Sequence, residues 1–250
     1  MYFNVVYTEL LKLKRSIILW ILPIATIVPI ILSLVPLYHM KSTNEGDEFN
    51  LLVMFIQGDL AFLNLIIGVP LFTLITSYVF SIEYQQRTIN NLFTYSYSRL
   101  HFLFGKMTVI FILITAVILS SFFISLIVAV GVLSIPIDYN IIIKYLIVYS
   151  CMILMQFALV PFYALLSIWK KNIIFPMFIS IILTVIAGLI MEYDIAMLFP
   201  WSTPSRVTFG MTNYYNYASV RYDLSISSLT FLFFVSLILN IKYYNNSDVQ

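Results

Sequence analysis

Glycine and cysteine are scarce, with 7 Gly and one Cys in 250 residues. The lone Cys151 cannot close an internal disulfide, and free cysteine in an apolar run behaves as a small core hydrophobe. Disulfide scaffolds and collagen-like chains are therefore excluded. Charge is also thin: 13 basic and 11 acidic side chains make up 10% of the chain, against about 25% in an ordinary soluble domain. With 62% hydrophobic residues, neither a soluble cytoplasmic enzyme nor a disordered chain fits. The two histidines, His39 and His101, fall on opposite sides of the topology below, and no Cys/His/carboxylate cluster replaces them, so no metal site is expected. There is no Gly-x-x-x-x-Gly-Lys-[Ser/Thr] phosphate loop, no His-Glu-x-x-His and no Gly-x-Ser-x-Gly. Catalysis by this chain, a cofactor held in it and nucleic-acid binding are all unexpected.

What the chain has is long apolar runs. A helix needs about 20 apolar residues to cross roughly 30 Å of hydrocarbon. Runs that meet this requirement lie at 16–38, 60–82, 107–130, 145–169 and 172–191, with a shorter one at 224–241. They lack the alternation of a barrel strand. The pattern predicts an all-α polytopic membrane protein with six transmembrane helices in one domain spanning 1–250. The first run starts too far in, and is too long, for a cleaved signal peptide. With both termini in the cytoplasm, nine basic residues lie inside (Lys12, Lys14, Arg15, Arg87, Arg99, Lys106, Lys170, Lys171, Lys242) and four outside (Lys41, Lys144, Arg206, Arg221). That split obeys the positive-inside rule for a plasma-membrane protein.

Val5, Val6, Leu10, Leu11 and Leu13 interleave with Glu9, Lys12, Lys14 and Arg15, which predicts an amphipathic helix in the inner interface, its lysines toward headgroups. The alternative is a polar tail. Pro23, Pro29 and Pro36 predict a bent first span. Leu51 to Gln57 is too short to cross and is expected at the outer surface, before Gly58 and Asp59 open the second span. Asp59 and Lys144 are expected at outer edges. No charge then falls within the longer spans, which disfavours transport coupled through a buried carboxylate. Asn64, Thr73, Thr76, Gln156 and Ser167 do enter the helices, where such groups usually bond neighbouring helices. Asn64 and Gln156 are candidate pathway residues.

The inner connection from Glu83 to Lys106 is the longest on its side. Glu83 and Arg87 stand four apart in the favourable order for a helical ion pair, and Ile89, Leu92 and Phe93 form an apolar edge at helical spacing. Such a helix would dock a cytoplasmic partner or pack under its own bundle; the pattern leaves both open. On the outer side, Glu192 to Asp223 carries Trp201 and the cluster Tyr214, Tyr215, Tyr217 and Tyr222. These aromatics suit the membrane–water boundary with or without contact to a substrate.

Taken together, these features resemble the membrane subunits of type-2 ABC exporters. That family has six helices, an amphipathic start, and an inner loop reading Glu-x-x-x-Gly-Thr, then Ser/Pro-x-Ser-Arg, then Gly/Ser-Lys. Glu83 and Thr88 fall on the first motif, Ser98-Arg99 on the second and Gly105-Lys106 on the third, with Arg87 in place of the glycine. The resemblance implies that 83–106 holds a coupling helix seated on a separate ATP-binding subunit, with Glu83, Arg87, Thr88, Ile89, Leu92 and Phe93 in the contact. Arg99 and Lys106 would anchor its exit to headgroups or acidic partner residues. ATP and Mg would sit on that partner, two ATPases would serve two paired permeases, and 192–223 would form a re-entrant outer hairpin. The chain is also similar to small Gram-positive permeases of lantibiotic immunity and bacitracin resistance, and to staphylococcal exporters of phenol-soluble modulins. The implied cargo is an amphipathic or hydrophobic peptide; the alternative is an accessory or assembly subunit outside the pathway.

Overall fold

The structure, a computed structural model, describes residues 2–14, 16, 18–42, 48–85, 99–133, 139–213 and 221–246. The described residues form helices: α1 (Tyr2–Leu13), α2 (Ile18–Ser42), α3 (Glu48–Phe62), a π-helical segment (Leu63–Gly68), α4 (Val69–Gln85), α5 (Arg99–Gly131), α6 (Tyr139–Lys170), α7 (Ile174–Leu189), a 3₁₀ turn (Asp194–Leu198), α8 (Thr203–Thr212) and α9 (Tyr222–Asn246). Among the described residues, five stretches are long and apolar enough to cross a membrane, and α7 is a shorter apolar helix. The chain is therefore an all-α polytopic membrane protein. At 16 residues, α7 is about 24 Å long, short of the hydrocarbon thickness.

Several limits move outward from those expected. The second span runs from Leu51 to Gln85 as one apolar stretch, so Leu51 to Gln57 is the largely buried first part of that stretch and not a separate surface segment. Gly58 does not break it, because it is where α2 crosses: a Cβ there would come within 3.0 Å of the Ser33 Cβ, and small residues let membrane helices approach closely. Likewise α5 starts at Arg99 and α6 at Tyr139. The 33 residues of α5 reach about 50 Å, so its ends project beyond the hydrocarbon. Helix α2 stays helical past all three of its prolines.

The core lies around α4, α5 and α6, with Phe72, Phe80, Ile110, Ile114, Tyr149 and Met152 fully buried. Between α6 and α7 the turn is tight: Lys171 adopts φ 51°, and the Asn172 side chain accepts the Ile174 amide at 2.9 Å. Helix α8 is buried despite its polarity, with Thr203, Ser205, Arg206, Thr208 and Thr212 inside. Its hydroxyls bond back along the chain, Ser205 to the Ser202 carbonyl, Thr208 to that of Pro204 and Thr212 to that of Thr208. This satisfies them without water. Asn213, at φ 54°, ends the helix and donates its amide to the Phe209 carbonyl. Residues 192–213 thus run as a 3₁₀ turn and a buried helix between α7 and α9.

The π-helical segment generates a prediction. It places the Leu63 carbonyl oxygen only 2.4 Å from where a Cβ on residue 68 would stand, with the Gln156 amide nitrogen 3.3 Å from the same point. Gly68→Ala is expected to destabilise the protein by about 1–3 kcal/mol, the usual cost of overpacking. Gly188→Ala, where nothing lies within 4 Å, should be neutral or slightly stabilising. Thermal unfolding of both variants in detergent measures the difference.

Candidate functional site

Two polar sites stand at opposite ends of the bundle. The first joins α1, α4 and α5. Lys106 is fully buried, as are Glu9 and Glu83 within a few percent. The Lys106 ammonium donates to Glu9 Oε2 at 3.1 Å and to the Val79 carbonyl at 2.8 Å, and lies 3.1 Å from Glu83 Oε2. These three contacts use its three N–H donors. Lys12 closes the group by donating to Glu83 Oε1 at 2.6 Å and to Glu9 Oε1. Two carboxylates face two ammonium groups. An isolated buried charge would cost several kcal/mol, and this neutral, fully bonded set avoids that.

Local sequence makes the group possible. Glu9 falls on the inward face of α1 with Val5, Val6 and Leu13, and Gly105 lets α1 lie close on α5: a Cβ there would stand 2.8 Å from Val5 Cγ1. Lys12 has a half-exposed side chain. Burial works against its charge, but Glu9 and Glu83 outweigh burial and hold its ammonium above the ordinary lysine value. Its contribution to stability is therefore complete below that ordinary value and is lost as pH rises through the raised one.

Two expectations are corrected here. Lys106 does not reach headgroups or an outside partner, because its ammonium is consumed inside the protein. Glu9 and Lys12 turn inward as well, so lysines alone do not define the headgroup face of α1; Phe3, Tyr7 and Leu11 are its exposed apolar stripe. Arg99, at the start of α5, donates to the Tyr244 carbonyl at 3.2 Å, and Lys171 lies 5.7 Å from the Tyr84 ring centre. Arg87, Thr88, Ile89, Leu92 and Phe93 lie outside the described residues. Glu83 and Lys106 flank that segment, and the charge group ties its two ends to each other and to α1.

The second site lies toward the other end, with Asp59 24 residues before Glu83 on the same helical run, or about 36 Å away. Asp59 is fully buried, not at an outer edge. Ser121 donates to its two oxygens at 3.0 and 2.9 Å, and Tyr149 to Oδ2 at 2.5 Å. Nearby, Gln57 donates to the Thr212 carbonyl at 2.9 Å. Of the candidate pathway residues, Gln156 and Asn64 meet: Gln156 Nε2 donates to Asn64 Oδ1 at 3.2 Å, and Asn64 Nδ2 to Thr208 Oγ1 at 3.1 Å. Both are buried, in a seam between the π segment, α6 and α8. Trp201 donates to the Tyr163 hydroxyl at 3.0 Å, while Tyr214, Tyr215 and Tyr217 lie outside the described residues. Arg206, expected as an outer-loop charge, is buried and donates to the carbonyls of Met191 and Tyr193, with Asp194 3.8 Å away.

Residues 5–188 match the model of a family described as ABC-2 family transporter protein. The chain belongs to that family. A relative, the bacitracin transport permease protein BCRB of Bacillus licheniformis, is 25% identical over 186 residues, covering 74% of this chain and 88% of that one. This ABC-2 permease is a multi-pass plasma-membrane component of a transporter, and membership implies ABC ATP-binding partner subunits. Tyr149 was not singled out from sequence, and Asp59, Glu9 and Arg206 were noted there only as edge, interface or outer-loop charges, not as members of buried polar sites. For Glu9, the available signal was its place among inward-facing valines, at the same membrane end as Glu83 and Lys106.

Removing one member separates buried from half-exposed charge. Lys106→Met strips Glu9 and Glu83 of their buried counter-ion and is expected to cost about 3–5 kcal/mol. Lys12→Met, at a half-exposed position, should cost about 1 kcal/mol or less. Unfolding midpoints in detergent rank the two; equal losses would contradict the geometry.

Proposed function

We propose that this ABC-2 permease exports amphipathic or hydrophobic peptides such as toxins, bacteriocins or peptide antibiotics. Power comes from two ATP-binding subunits that press on 83–106, and the chain itself holds no ATPase site. The observation that carries the reading is the charge group at Glu9, Lys12, Glu83 and Lys106. A segment that receives force from a partner needs its ends fastened to the helices it moves, and these four residues fasten both ends to α1, α4 and α5. Contacts bring the basic residues Lys12, Arg99, Lys106, Lys170, Lys171 and Lys242 to that end, which supports a cytoplasmic placement with both termini inside. The bacitracin transport named for its relative supports the cargo class. A second permease, a copy or a relation, completes the pathway in a Gram-positive plasma membrane. Gln156 and Asn64 line that pathway once the seam with α8 opens, and the outer aromatic segment with Trp201, Tyr214, Tyr215 and Tyr217 forms its gate.

Replacing Ile89, Leu92 and Phe93 together by alanine is expected to reduce co-purification with the ATP-binding subunit about tenfold or more, a loss of at least about 1.4 kcal/mol. Unchanged recovery would remove the coupling role. Gln156→Ala should leave that assembly intact while lowering peptide export from cells. Export at the unaltered level would favour an accessory subunit.

A further inference from the structure

At the same end of the bundle as the charge group, α6 and α9 diverge around an open groove of about 560 Å³. Its lining is Leu165, Leu166 and Trp169 on one wall and Leu239, Lys242 and Tyr243 on the other. The volume lies within the usual range of ligand sites, about 300–1,000 Å³. Three leucines make the slot apolar. Its rim carries one cation and two aromatics with polar edges, residue types that settle at the boundary between hydrocarbon and headgroups. Trp169 is 58% exposed and Leu239 45%, so the described residues leave both walls uncovered.

Among the described residues, the charged groups nearest the groove are lysines. Lys170 lies beside the groove, its ammonium 4.1 Å from the Trp169 ring centre, and Lys171 follows at the turn. Among the described residues no carboxylate pairs with Lys242, and the nearby acids Glu9 and Glu83 are held by Lys12 and Lys106. An occupant therefore needs an apolar tail for the slot and an anionic head for the rim. A free phosphate lacks the tail, and a zwitterionic lipid lacks the net charge.

We propose that the groove between α6 and α9 is a binding site for an anionic phospholipid of the inner leaflet. An acyl chain lies along Leu165, Leu166 and Leu239, and the phosphate is held by Lys242 with Lys170 beside it. The site adjoins the root of segment 83–106, because Arg99 is bonded to the Tyr244 carbonyl next to Tyr243. A lipid seated here braces α9 where it meets the start of α5. The inference rests on the inward placement of this end and is independent of the cargo.

The test uses the full chain in nanodiscs of mixed phosphatidylcholine and phosphatidylglycerol, followed by native mass spectrometry of the lipid retained after extraction. The native chain is expected to keep phosphatidylglycerol in preference to phosphatidylcholine. Lys242→Gln should weaken that retention about fivefold, the worth of one lysine at an anionic surface. Leu239→Trp, which fills the slot and leaves the charge in place, should abolish retention of either lipid. A native chain with no preference, or variants that retain lipid as it does, would overturn the site. So would disulfide formation between two copies carrying Leu239→Cys, which would show a second chain covering the groove. Labelling of Lys242→Cys with a membrane-impermeant reagent from either side checks the orientation separately. A failure there is distinguishable from a failure of lipid binding.

Discussion

The fold at the basic end hangs on one ammonium group. Lys106 has no water to turn to, and each of its protons is taken by an oxygen from a different place: Glu9 on α1, Glu83 near the end of α4, and the Val79 carbonyl one turn earlier. Without those oxygens the cation would be untenable in the interior, and without the cation two carboxylates would be left in apolar surroundings. The arrangement is therefore conditional in both directions. It brings α1 down onto α5, which in turn requires a residue without a side chain at Gly105. A helix that composition alone would leave floating at the interface becomes part of the bundle.

Hydrogen bonds at the other end do related work without a cation. Asp59 is enclosed by two hydroxyl donors, and the amides of Gln57, Asn64 and Gln156 are spent on α8 and on one another. The π segment sets this seam in register: its wider turn puts Asn64 and Gly68 against Gln156, and such segments often mark functional places in helices. Two polar centres thus lie about 36 Å apart on one helical run, each tying that run to other helices of the bundle.

Helix type and five of the six expected spans were legible because long uncharged runs leave few other structures open to a chain in lipid, whereas the fifth run, 172–191, forms only the short apolar helix α7. The ends were less legible. Gly58 and Asp59 look like a break in the string, yet the helix runs through them, since the glycine faces Ser33 and the carboxylate finds Ser121 and Tyr149 more than sixty residues later. No local pattern encodes partners at such separations. Glu83 and Lys106 were visible as motif positions, but their inward roles depend on Glu9, a single acid on a short amphipathic helix. Asn64 and Gln156 stood out as polar groups in apolar runs; their mutual contact was invisible until the π turn supplied the geometry.

The self-bonded hydroxyls of α8 have a consequence for movement. A polar helix lodged among apolar ones would ordinarily be trapped, because each displaced group would need a new partner or a water molecule. Ser205, Thr208 and Thr212 carry their own acceptors one turn back along the backbone, so they travel with the helix already quenched. What holds α8 in its berth includes the bonds made by Gln57, Asn64, Thr203 and Arg206 to its surroundings. Any shift of α8 would have to break those few bonds, while its own hydroxyls would keep their acceptors.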